Sequence, residues 1–193
     1  MLTTRRLAGL FDALDASPWG AASGRRLARA ESDTPPLYTP DERRRRDTSP
    51  WTMVQGVLAP VQFLVFLISL GLVFRYLATG EGFAAATASV VVKTLVLYTI
   101  MVTGCVWEKE VFGRYLFAPA FYWEDMFSML VLVLHTAYLA AVFAGIGDAQ
   151  GQMLLALAAY AAYLVNAAQF VLKLRAARKQ EARLGGLGGM RAT

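Results

Sequence analysis

Cysteine and histidine are almost absent from this chain, which holds one of each, Cys105 and His135. A single thiol forms no intramolecular disulfide and builds no thiolate metal site. A single imidazole excludes a bis-histidine haem within one subunit, and a histidine-rich metal centre with it. The sequence also lacks a phosphate-cradling glycine loop, a dinucleotide fingerprint and a Ser-His-Asp arrangement. The run Gly185-Gly186-Leu187-Gly188-Gly189 has no strand or helix around it of the kind a nucleotide fold needs, and reads as a flexible tail. Residues 1–50 contain no apolar stretch of useful length, so no secretory signal is expected there.

Apolar residues are abundant. They make up 56% of the 193 residues, and the mean hydropathy is +0.43, above the usual soluble range. The formal net charge is +5, and its distribution says more than its sum. Seventeen of the 19 Lys and Arg residues lie in the N-terminal region, between Trp107 and Trp123, or in the C-terminal region; only Arg75 and Lys93 fall elsewhere. This is the asymmetry of a membrane protein that keeps its basic segments on one side, not a nucleic-acid-binding pattern.

Four apolar runs of spanning length follow the polar start: Trp51–Tyr76, interrupted by Pro60, then Phe83–Val106, Asp125–Ala144 and Gln152–Leu172. Each approaches the ~20 residues a helix needs to cross a bilayer. The short glycine-containing links Leu77–Gly82 and Gly145–Gly151 make neighbours antiparallel. The expected fold is therefore all-α, a polytopic antiparallel bundle of four transmembrane helices over 51–178. A polar, basic and largely flexible extension (1–50) precedes it, and a flexible glycine-rich tail (179–193) follows. Within the extension, Met1–Leu14 has the spacing of a short amphipathic surface helix. An even number of spans with basic flanks puts both termini and the Trp107–Trp123 segment in the cytoplasm.

Polar side chains inside the spans are costly in lipid and are read first as functional. At ~1.5 Å per residue, Gln62, Lys93 and His135 all fall near the midplane, each on a different span. Helical phase aligns Gln55, Gln62 and Ser69 on the first span, and Glu124, Ser128, His135 and Tyr138 on the third. It places Lys93, Ile100, Gly104 and Trp107 on one side of the second, and Tyr163, Asn166 and Phe170 on the fourth. These stripes form a polar track from the Trp107–Trp123 segment toward the midplane. For most of these groups, hydrogen bonding between helices is the plain alternative.

The segment Trp107–Asp125, WEKEVFGRYLFAPAFYWED, sets Glu108, Glu110, Glu124 and Asp125 among many aromatic rings. Charges and an aromatic belt at a membrane surface account for such a composition. It also suits a flat amphiphile on which protons must be moved.

The motifs YTPDERRRRD (Tyr38–Asp47), WTMVQGVLAPVQFLVF (Trp51–Phe66), LATGEG (Leu77–Gly82), VVKTLVLYTIMVTG (Val91–Gly104), WEKEVFGRYLFAPAFYWED, LHTAYL (Leu134–Leu139) and YLVNAAQFVLKLRAAR (Tyr163–Arg178) occur in one collinear order. Together they resemble the chlorophyllide and bacteriochlorophyllide 3-vinyl hydratase family of bacteriochlorophyll biosynthesis. The resemblance covers about Tyr38–Arg178 and implies a lyase that adds water to the C3 vinyl group of the pigment, giving a 3-(1-hydroxyethyl) group. It implies no cofactor, because the Mg belongs to the substrate macrocycle. The implied partners are the pigment, the bilayer and other enzymes of the same pathway. A membrane pigment carrier or assembly factor is the alternative.

Site residues follow from chemistry and depth inside these motifs. Glu108, Glu124 and Asp125 are the candidate acids and bases, with Glu124 or Glu108 as the proton donor. His135 is a proton relay or the axial ligand to the substrate Mg. Trp107, Tyr115, Phe121, Tyr122 and Trp123 would stack on the macrocycle. Lys93, Lys109 or Arg114 would neutralise its propionate, and Gln62 and Asn166 would line the track.

Overall fold

The computed structural model describes residues 37–190, without the side chains of residues 180, 181 and 183–190. The surface helix expected over Met1–Leu14 lies outside the described residues. Five helices follow: α1 (Pro40–Thr48), α2 (Pro50–Thr79), α3 (Phe83–Phe112), α4 (Tyr122–Ala144) and α5 (Ala149–Met190).

Helix α1 lies within the stretch expected to be flexible, and its sequence explains why it forms. Thr39 and Glu42 close a capping box, Pro40 occupies the first turn, and acids open the helix while arginines end it. Ser49 then links two elements: its hydroxyl caps the Trp51 N–H of α2 at 3.3 Å and donates to Glu110 of α3 at 2.6 Å. Helix α2 continues unbroken through Pro60, as spanning helices often do when surrounding groups satisfy the freed backbone. Helix α5 runs to Met190, past the tail boundary expected at residue 179; Arg175–Leu184 is rich in helix-forming Ala, Arg, Lys, Gln and Glu, whereas the glycine-rich Gly185–Met190 continues the helix without that propensity.

Helices α2 to α5 are each long and apolar enough to cross a membrane, α5 over Ala149–Lys179. They are arranged as two antiparallel hairpins. Helix α2 packs most closely on α3, and α4 on α5; looser contacts of α2 with α5 and of α3 with α4 join the pairs. The core is apolar and continuous, running through Phe66, Val73, Val90, Leu97, Val131, Met153 and Tyr160. The outer surface carries Leu64, Ile68, Phe74, Val102, Val133, Phe143 and Leu172, all exposed. Apolar surface on this scale suits lipid rather than water, and the chain is a multi-pass membrane protein.

Candidate active site

The second and third spans extend further into the Trp107–Asp125 motif than its composition indicates. Helix α3 carries Trp107, Glu108, Lys109 and Glu110 and ends at Gly113, whose φ of 78° reverses the chain. Tyr122, Trp123, Glu124 and Asp125 form the first turn of α4. The true connection is thus residues 113–121, shorter than the loop expected over Trp107–Trp123. It folds back over the helix ends, and Phe117 takes a left-handed φ of 58°, strained for a bulky residue.

That fold-back aims backbone donors at two carboxyl groups. The Phe117 N–H donates to Asp125 Oδ2 at 2.7 Å, and the Ala118 N–H faces the Glu108 carboxyl. Glu108 and Asp125 are themselves in hydrogen-bonding contact across the α3–α4 join. Ionised carboxylates only accept, so such a contact holds one proton between two acids. Both residues are buried, and Glu108 Oε2 receives no N–H or O–H donor.

Glu124 differs. It forms a 2.6 Å ion pair with Lys173 of α5, whose ammonium also sits 5.0 Å from the centre of the Phe121 ring. One turn further along α4, Ser128 Oγ accepts from Asn166 Nδ2 at 2.9 Å, which leaves Asn166 Oδ1 buried without a donor.

The aromatic residues divide into two groups. Trp107 and Phe121 pack with Phe112 and Tyr38 in a small cluster, and the Trp107 indole N–H donates to Thr52 Oγ1 at 2.9 Å. Tyr115, Tyr122 and Trp123 face outward at the loop end, with Trp123 62% exposed. Lys109 and Arg114 are exposed there too, and Lys109 Nζ donates to the Gly113 carbonyl at 3.0 Å.

Deeper in the bundle lies a second polar group. Lys93 is fully buried, with Nζ 4.0 Å from the centre of the Tyr163 ring and no hydrogen-bond acceptor. Gln62 is buried with both amide atoms unpaired. His135 Nδ1 lies 2.8 Å from the Val131 carbonyl. A carbonyl only accepts, so Nδ1 carries the hydrogen, and the buried, unpartnered Nε2 is left with a free lone pair. Close by, Ser69 bridges Ser89 and Tyr160 at 2.7 and 2.5 Å.

The expected site residues therefore form two tiers, with Asp125 and His135 ten residues apart on α4, or ~15 Å along the axis. Glu108, Asp125, Glu124 and Asn166 share the upper tier, and Gln62, Lys93 and His135 the lower. Sequence reasoning missed the Glu124–Lys173 pair, although Lys173 closes the stripe of Tyr163, Asn166 and Phe170. It also missed the loop amides of Phe117 and Ala118, which leave no side-chain signal.

The comparisons with known proteins agree with one another. A protein of Cereibacter sphaeroides named 2-vinyl bacteriochlorophyllide hydratase is 67% identical over 143 residues, covering 74% of this chain and 88% of that protein. The protein of the same name from Rhodobacter capsulatus is 64% identical over 146 residues, covering 76% and 85%. No solved structure matches. The family model for 2-vinyl bacteriochlorophyllide hydratase matches residues 38–176, a range holding both tiers and all four spans' facing stripes, and the chain belongs to that family.

Proposed function

We propose that this chain hydrates the C3 vinyl group of chlorophyllide a or bacteriochlorophyllide a, with Glu108 and Asp125 as its acid–base pair. Vinyl hydration follows from the family; the assignment of the pair rests on one observation, two buried carboxyl groups in contact beneath a loop that aims an amide at each. Hydration to a 1-hydroxyethyl group places hydrogen on the terminal vinyl carbon and hydroxyl on the carbon next to the ring. The acid of the pair gives its proton to the terminal carbon. The π electrons form the new C–H bond, and the inner carbon becomes a cation stabilised by the macrocycle. Water bonds to that carbon and loses a proton to the carboxylate, which restores the pair. Asn166 Oδ1 is a free acceptor for the attacking water. Glu124 is the weaker candidate for the acid, because Lys173 Nζ already engages its carboxyl at 2.6 Å.

No electron is gained or lost overall, so the reaction calls for no redox cofactor, and the Mg arrives with the substrate. The exposed Tyr115, Tyr122 and Trp123 are suited to meeting an arriving pigment at the interface. Arg43–Arg46, Lys109, Arg114 and Lys173–Lys179 flank the same ends of the spans, which favours a cytoplasmic location for this face in a bacterial inner membrane. The product stays soluble in the membrane, which suits direct transfer to other pigment enzymes there.

The test supplies chlorophyllide a to the purified protein in detergent and follows loss of the vinyl group by chromatography and absorption. Conversion without added cofactor is expected. Glu108→Gln and Asp125→Asn should each bind pigment yet turn over at least about a hundredfold more slowly. Normal turnover by both variants would remove the pair from the mechanism.

A further inference from the structure

The acid–base pair leaves the lower tier unused, and that tier is unusual in what it lacks. Lys93 Nζ, His135 Nε2 and both amide atoms of Gln62 are buried without a hydrogen-bond partner. Buried polar groups are nearly always paired, and in lipid an unpaired one is more costly still. Helices α2, α3 and α4 each contribute one of the three, so the cluster lies where the two hairpins face each other.

We infer that His135 and Lys93 form a two-point seat for the pigment, with His135 Nε2 ligating its central Mg and Lys93 pairing with its free propionate. The inference rests on the vinyl-hydratase reading above and names what that site selects. The Val131 carbonyl, 2.8 Å from Nδ1, fixes the tautomer and leaves Nε2 as a lone pair held in one direction, as the outer partner of a metal-binding histidine does. The Tyr160 ring, 5.8 Å from the imidazole, supports it from the side. A lone pair that no donor reaches is available to donate to a Lewis acid, and the Mg of the macrocycle takes a ligand beyond its four ring nitrogens. Lys93 has a ring face but no anion, and a carboxylate carried in by the ligand supplies it.

The depth also fits. His135 lies ~15 Å along α4 from Asp125, but side chains lean toward the N-terminus of their own helix. His135 therefore reaches back toward the loop, and Glu108, near the C-terminal end of the antiparallel α3, reaches down toward the midplane. Glu108 and His135 thus lean toward each other across the join of the hairpins. A pigment seated on His135 then presents its vinyl group to Glu108 and Asp125, past Asn166 and Ser128.

Equilibrium binding in detergent, read by pigment absorption and fluorescence, tests the seat apart from turnover. The probes are chlorophyllide a, its metal-free counterpart and its propionate methyl ester. The wild-type protein should bind chlorophyllide about tenfold or more tightly than either of the others. His135→Leu should lose the preference for Mg while its affinity for the metal-free pigment stays unchanged, which also shows that the variant is folded. Imidazole added to His135→Gly should restore the preference. Lys93→Met should lose only the preference for the free acid. Equal wild-type affinity for the Mg and metal-free pigments would overturn the seat, even with hydration intact. So would a Mg preference that survives in His135→Leu, or equal loss of all three pigments in a folded His135 variant. If His135→Leu does not fold, the wild-type ratio and the imidazole response decide the matter.

Discussion

At the loop end of the bundle, Glu124 has Lys173, Asp125 has the Phe117 amide, Glu108 has the Ala118 amide, and Ser128 has Asn166. At the midplane, Lys93, Gln62 and His135 Nε2 have no hydrogen-bond partner at all. Apart from the partly exposed Lys173, the side chains of both groups are buried, so burial alone does not separate them. Partnership does. A buried group whose partners come from the protein is held in place for chemistry or stability, and its removal disturbs what holds it. A buried group without partners costs stability in the empty protein and recovers that cost when a ligand arrives.

The contrast can be broken most sharply at the carboxyl pair. Either amide variant there should lower the hydration rate by about a hundredfold or more, some 2.7 kcal/mol of barrier, while pigment affinity holds. Turnover measured with saturating pigment checks it. Next comes Lys173→Met, which strands Glu124 without its counter-charge. It should destabilise the folded protein by about 2 kcal/mol, less than a fully buried pair would, because Lys173 remains partly exposed. The double variant Lys173→Met with Glu124→Gln should recover much of that loss in a thermal unfolding series. Lys93→Met should behave in the opposite sense, with unfolding temperature unchanged or raised and chlorophyllide affinity down about tenfold, or ~1.4 kcal/mol. If Lys93→Met instead destabilised the protein as Lys173→Met does, the distinction between the tiers would fail. The smallest effect belongs to the loop backbone. Phe117→Gly should be more stable than Phe117→Ala by about 1 kcal/mol, since both lose the ring but only alanine keeps the strained φ.

Much of this was legible in the chain. Periodicity and span length located four membrane helices, and helical phase put Gln62, Ser128, His135 and Asn166 on interior stripes, where the fold has them buried. The ends of helices were less legible. Leu-Val-Ile runs mark the apolar part of a span, whereas α3 continues for a further turn and more through charged residues until Gly113 stops it. Helix α1 carried a readable capping box at Thr39–Glu42, but the surrounding prolines and arginines pointed to flexibility. The choice between Glu108 and Glu124 was not readable. It depends on a lysine 49 residues from Glu124 and on two backbone amides, and only packing brings these together.

The one thiol of the chain offers a different use of the same geometry. Cys105 lies on α3 one turn before Glu108, half-buried and near enough to feel the charge of both Glu108 and Asp125. With no second cysteine to compete, a small fluorinated label attached there would sit beside the carboxyl pair without any prior mutagenesis. Its resonance would then act as a local electrometer, following proton loss and return at the pair as pigment is bound, hydrated and released.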